Sequence, residues 1–166
     1  MTRSSTILLS TFALVFTVAG ASAARTDSEM ARAAASPVAA KTVIQVYKSP
    51  TCGCCKAWVD HVRANGFQAE VIDVSDEELQ ARKAKLGVGP RLASCHTAIV
   101  NGYVVEGHVP AADIQRMLKE KPAIIGIAAP GMPVGSPGME VPGGRKDKYD
   151  VVAFSKGGAT RVFASH

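Results

Sequence analysis

The stretch Ser49-Pro50-Thr51-Cys52-Gly53-Cys54-Cys55-Lys56-Ala57-Trp58 holds three of the chain's four cysteines within four positions. Before it runs Val43-Ile44-Gln45-Val46-Tyr47, a β-branched segment that reads as a buried strand ending at Ser49-Pro50. After it, Cys55, Trp58, Val59 and Val62 recur at i, i+3, i+4 and i+7, with Thr51 as the expected N-cap and Asn65-Gly66 as the stop. This spacing predicts a helix. The thiols therefore stand at a strand-to-helix junction, where unpaired N–H groups and the positive end of the helix dipole favour thiolate.

Working outward, Gln68 to Val74 reads as a second strand, and Ser75-Asp76-Glu77-Glu78 as a capping box opening a short helix that closes at Gly87. Thr97 to Val100 and Tyr103 to Glu106, joined by Asn101-Gly102, form a strong hairpin signal. Pro110 is expected at a first helical position, with Ile114, Met117 and Leu118 on one face and the end before Pro122. The order is β-α-β-α-β-β-α, the arrangement of a thioredoxin-like α/β domain. Residues 126–144 contain six Gly and four Pro and read as a long loop, unable to form a helix or an interior strand. Gly87-Val88-Gly89-Pro90 reads as a turn. Tyr149 to Phe154 and Thr160 to Ala164, separated by Gly157-Gly158, predict a terminal hairpin that packs on or extends the sheet. The expected domain covers residues 42–166.

Composition narrows the class. With 166 residues, 47% of them hydrophobic, the chain is too apolar to be largely disordered and has the length of about one domain. No apolar run after the first 24 positions is long enough to span a bilayer. The formal charge of +5 is spread out, without a Lys/Arg run or interleaved aromatics, so a nucleic-acid partner is not expected. Arg3, the apolar run Ile7 to Val18 and Ala21-Ser22-Ala23 read as a cleavable signal peptide over residues 1–23, followed by a flexible leader over 24–41. Export makes disulfides permissible.

Cys52 and Cys55 have C-x-x-C spacing, with Cys54 as an additional thiol that an ordinary dithiol cycle does not need. Three thiols in four positions suit one closed tetrahedral zinc poorly, since zinc cysteines more often come as separated pairs. They suit several soft ions sharing bridging sulfurs, with Cu(I) the leading candidate. Counting outward from the Asn101-Gly102 turn brings Cys95 opposite His108, close enough for sulfur and imidazole to share a metal or a hydrogen bond. By alternation His96 is expected on the other face. Leu92-Ala93-Ser94-Cys95 lacks the proline common at this position of the fold, and offers a fourth cysteine instead. The plainer alternative is two structural disulfides, although C-x-C and adjacent C-C bridges are strained. His61 reads as a solvated helix residue, His166 as a frayed terminus and Met117 as core. Met132 and Met139, bracketing part of the Gly/Pro loop, are either gap fillers or copper ligands.

Four motifs in order, the Ser49–Trp58 stretch, Cys95-His96-Thr97, Glu106-Gly107-His108-Val109-Pro110 and Gly131-Met132-Pro133-Val134-Gly135-Ser136-Pro137-Gly138-Met139-Glu140, resemble the CopG family of exported copper-resistance proteins. The resemblance covers nearly all of residues 42–154. It implies a thioredoxin-like periplasmic protein of Gram-negative bacteria that binds a multinuclear copper cluster and handles copper redox state. By motif position it implies Cys52, Cys54, Cys55 and Cys95 as cluster ligands, His108 as a further ligand, and Met132 and Met139 as outer or transient ones. His96 is expected either in a core-edge hydrogen bond or orienting the cluster from behind. Expected partners are copper ions, other periplasmic copper-handling proteins or an efflux pump. Two other functions stay open: a thiol–disulfide oxidoreductase using Cys52 and Cys55 with Cys54 or Cys95 as resolving thiol, and a structural zinc module for partner binding.

Overall fold

The structure, a computed structural model, describes residues 41–166; the expected signal peptide at 1–23 and nearly all of the expected leader at 24–41 lie outside the described residues. The first strand, β1 (Val43–Lys48), is followed by helix α1 (Gly53–Ala64), β2 (Gln68–Asp73), α2 (Asp76–Lys85), β3 (His96–Val100), β4 (Tyr103–Gly107) and α3 (Ala111–Glu120). Then come β5 (Gly126–Ala129), β6 (Asp150–Phe154), a 3₁₀ turn (Lys156–Gly158) and β7 (Thr160–Ser165). All seven strands join one mixed sheet in the order β2-β1-β3-β4-β5-β6-β7. The expected β-α-β-α-β-β-α order stands, and the terminal hairpin extends the sheet at its β7 edge.

Period-two alternation divides the sheet's side chains between two faces. Ile44, Val46, Ala98, Val105, Ile127, Val151 and Ala153 meet Trp58, Val59 and Val62 of α1 and Ile114 and Met117 of α3 in the larger core. Fully burying a side chain of this size contributes about 1.5–3 kcal/mol. Val104, Ala128 and Phe154 form a smaller cluster with Val88. Helix α2 joins the sheet through Arg82, whose guanidinium lies 3.8 Å from the centre of the Tyr47 ring, and through Lys83, buried against Thr97 and Glu106. Its start is the expected capping box: Ser75 Oγ accepts from Glu78 N and Glu78 Oε2 accepts from Ser75 N. The Asn101-Gly102 hairpin has the expected register, with Val100 opposite Tyr103 and Ile99 opposite Val104.

Five local expectations are corrected. Residues 126–129 form an interior strand, with β5 parallel to β4 and antiparallel to β6. The prolines begin only at Pro130, and Gly126 is what admits the strand: a Cβ there would come within 2.0 Å of the Val104 carbonyl oxygen. Averaging over the Gly/Pro-rich window hid this order. The N-cap of α1 is Cys52 rather than Thr51, because a turn closed by Cys52 N donating to Ser49 O delays the helix by one residue. Pro110 caps α3 from outside rather than occupying its first turn, and the N–H of Ala111 donates to His61 Nε2 at 3.1 Å. His61 is thus a half-buried capping group, not a solvated one. His166 is held by Asp113 Oδ2 at 2.7 Å from its Nε2, stacks on Tyr149 and exchanges backbone hydrogen bonds with it, so it is not frayed.

Candidate metal centre

The β1–α1 junction, the start of β3 and the end of β4 converge on one cluster of sulfur and imidazole. The Sγ atoms of Cys52, Cys54, Cys55 and Cys95 all lie within 4.8 Å of one another. Cys52 and Cys55 are joined in a disulfide, and Cys54 and Cys95 are free thiols. Cys52 Sγ also accepts from Cys55 N at 3.3 Å, so the cap of α1 and the sulfur site are the same atom. Cys54 Sγ stands 3.5 Å from Cys52 Sγ and 3.9 Å from Cys95 Sγ, which makes the additional thiol the link between the C-x-x-C pair and the fourth cysteine.

Cys95 precedes β3 and His108 follows β4, so both lie outside the ladder whose last pair is Thr97 with Glu106. Their opposition holds as a contact: Cys95 Sγ and His108 Nε2 are 2.9 Å apart. The tautomer follows from the other ring nitrogen. His108 Nδ1 faces the Pro137 carbonyl oxygen at 2.8 Å, and because a carbonyl only accepts, Nδ1 carries the proton and Nε2 presents its lone pair to Cys95. Burial lowers the pKa of His108 and favours this neutral ring. Burial, reinforced by the neighbouring Cys54, pushes the Cys95 thiol up to about 12. In the metal-free state the Cys95 S–H donates to His108 Nε2.

The expectation that His96 points to the other face is corrected. Its Nδ1 lies 3.5 Å from Cys95 Sγ and its ring centre 5.0 Å from that of His108, so Cys95, His96 and His108 form a second compact donor group. Strand alternation does not govern this corner, since Cys95 comes before β3 and Gly107, at φ +72°, turns the chain before His108. His96 is fully buried against Trp58, whose indole N–H donates to Val109 O at 2.9 Å. Burial holds its pKa well below the ordinary value, and its Nε2 has no hydrogen-bond partner among the described residues.

The loop after β5 packs on this site. Gly131 N donates to Ala93 O, Ser94 Oγ donates to Gly131 O, and the Pro137 carbonyl holds His108. Gly138, at φ +83°, lies so close to α1 that a Cβ would come within 2.7 Å of Cys54 O and 2.8 Å of Trp58 N. Met132 is 54% exposed and Met139 half-buried. The Pro137 carbonyl was beyond sequence reasoning because a backbone group has no residue signature.

Four convergent sulfurs and a lone-pair nitrogen on a mixed α/β scaffold define a cysteine-cluster protein able to bind a soft metal. A family model described as "Protein of unknown function, DUF411" matches residues 92–139. No curated protein matches the chain. Two solved structures, titled copper resistance protein copG, form 1 and form 2, are each 46% identical to it. Each match has a TM-score of 0.70 and covers 76% of this chain and 98% of the other. The chain belongs to the CopG family.

Proposed function

We propose that the protein is an exported copper-resistance protein whose cysteines hold a multinuclear thiolate copper cluster, with Cu(I) as the favoured cargo. The carrying observation is the convergence of four sulfurs within 4.8 Å, with His108 Nε2 directed at one of them. Thiolates are soft ligands that bridge Cu(I) ions, and the imidazole offers a nitrogen already freed of its proton. In this reading Cys52, Cys54, Cys55, Cys95 and His108 are the ligands, and His96 supports Cys95 from behind. Met132 and Met139 serve as outer ligands for arriving or departing ions. The name of the solved relatives supports copper as the metal. The element order, with a C-x-x-C pair opening the first helix, supports a thioredoxin-like assignment. The signal-peptide pattern at 1–23 supports a periplasmic location, from which copper would pass to other copper-handling proteins or a pump.

Anaerobic titration of the fully reduced protein with Cu(I) tests this reading. Roughly two or more ions bound per chain, with a sulfur-rich X-ray absorption signature, supports the cluster. One ion or none, alongside efficient reduction of a disulfide substrate, sinks it.

The Cys52–Cys55 disulfide favours a second reading, a thiol–disulfide oxidoreductase. A substrate thiolate would attack one sulfur of the bridge, the other would leave as thiolate, and a second substrate thiolate would resolve the mixed disulfide. This leaves substrate oxidised and Cys52 and Cys55 reduced by two electrons. It assigns no role to the Cys95–His108 contact.

A further inference from the structure

We propose that Glu106 is the positioning residue of the thiol site: with Lys83 and Thr97 it anchors the backbone of Ser94 and so sets Cys95 against Cys54 and His108. The placement of Cys95 is argued from the metal-free geometry, and only its consequence for copper rests on the function proposed above.

The observation is a buried charge network beside the site. Glu106 is fully buried and Lys83 is 2% exposed. Lys83 Nζ donates to Glu106 Oε1 and, at 2.9 Å, to Thr97 Oγ1, whose hydroxyl donates to Glu106 Oε2. The remaining partner is Ser94 N, which donates to Glu106 Oε1 at 2.7 Å. Ser94 immediately precedes Cys95. Its side chain is confined as well, since a Cβ on Gly107 would come within 2.5 Å of Ser94 Cβ and Ser94 Oγ donates to Gly131 O.

A buried ion pair is a poor way to gain stability, because desolvation offsets much of its attraction and well-packed apolar side chains often serve as well. What apolar side chains cannot supply is an acceptor for Ser94 N–H. Cys95 lies outside β3, so no ladder hydrogen bond fixes it, and Glu106 takes over that task from the neighbouring strand. Lys83 holds the Glu106 carboxyl in place through Oε1, and Thr97 closes the triangle. One residue of slack here would move Cys95 Sγ off His108.

Two double variants separate positioning from stability, because each removes both charges together. In Lys83→Met/Glu106→Gln the amide oxygen can still accept from Ser94 N and the amide NH₂ can donate to Thr97. In Lys83→Met/Glu106→Leu the anchor is gone. The readout is alkylation of Cys95 relative to Cys54 by iodoacetamide, measured peptide by peptide on metal-free protein with the Cys52–Cys55 bridge closed. The Leu variant should raise that ratio by about tenfold through freed access, while the Gln variant stays at the wild-type value. General loosening would raise both thiols together. The proposal is overturned if the folded Leu variant stays within about twofold of wild type, or if both variants rise alike. The wild-type chain supplies an arm that needs no variant: Ser94 N–H should exchange with solvent about a hundredfold more slowly than an open loop amide. Exchange at the open-loop rate overturns the anchor even if the Leu variant does not fold. Because neither arm contains copper, failure of the copper reading leaves both interpretable. A Cu(I) titration of the two variants then shows whether the displaced thiol also weakens loading.

Discussion

Closing or opening the Cys52–Cys55 bridge should change how much copper the protein holds. Sulfurs tied in a disulfide are not thiolates and cannot bridge Cu(I) as thiolates do. With the bridge closed, the proposed ligands left are Cys54 Sγ, Cys95 Sγ at 3.9 Å from it, and His108 Nε2 at 2.9 Å from Cys95 Sγ. Two sulfurs and one nitrogen suit about one Cu(I) ion. With the bridge opened by two electrons and two protons, all four sulfurs become available within the same 4.8 Å cluster, and capacity should rise to roughly two or more ions. The assay is an anaerobic Cu(I) titration against a chromophoric chelator on matched oxidised and phosphine-reduced samples, with copper counted by elemental analysis after desalting. Cys54→Ser should lower the reduced capacity and leave the oxidised chain with only Cys95 and His108 as first donors. Equal copper content in oxidised and reduced wild type would refute the reasoning, because Cys52 and Cys55 would then contribute nothing as ligands.

Two further outcomes follow from the surroundings of the site. Gly138→Ala should cost about 2–4 kcal/mol in denaturant unfolding, since it combines a left-handed backbone with a collision against Cys54 O and Trp58 N. Gly131→Ala, also at positive φ but with open space around its Cβ, should cost only about 1 kcal/mol, and equal losses would contradict the close packing of the loop on α1. His61 accepts the Ala111 N–H as a neutral ring, and burial lowers its pKa below 6.5 while Glu140 pulls the other way. Its contribution to stability is therefore present above pH 6.5 and lost as pH falls through the lowered folded-state value. Melting temperatures from neutral pH down to about pH 4 should fall more steeply for wild type than for His61→Gln, which accepts without titrating; parallel curves would contradict the capping role.

Much of the fold was legible because its signals are local. The capping box at Ser75 and Glu78, the Asn101-Gly102 turn and the i, i+3, i+4, i+7 run from Cys55 to Val62 each announce an element within a few residues. The interior strand Gly126–Ala129 escaped because its reason lies across the sheet, in the approach of Gly126 to Val104 O. His61 and His166 were misread for a similar cause. Their partners, Ala111 N and Asp113, are far away in sequence and leave no pattern around either histidine.

The candidate site divides along the same line. Residue spacing alone determined that three thiols sit at a helix N-terminus and, counted outward from the hairpin turn, pointed Cys95 toward His108, because both rest on local geometry; the ladder itself ends at Thr97 and Glu106, and the turn at Gly107 completes the contact. Only the tertiary structure decided that His96 joins the same corner, that the Pro137 carbonyl fixes the His108 tautomer, and that Glu106 and Lys83 hold Ser94 from behind. Those contacts run between segments far apart in the chain, and side chains such as Glu106 and Lys83 look like ordinary surface charges until packing removes them from water.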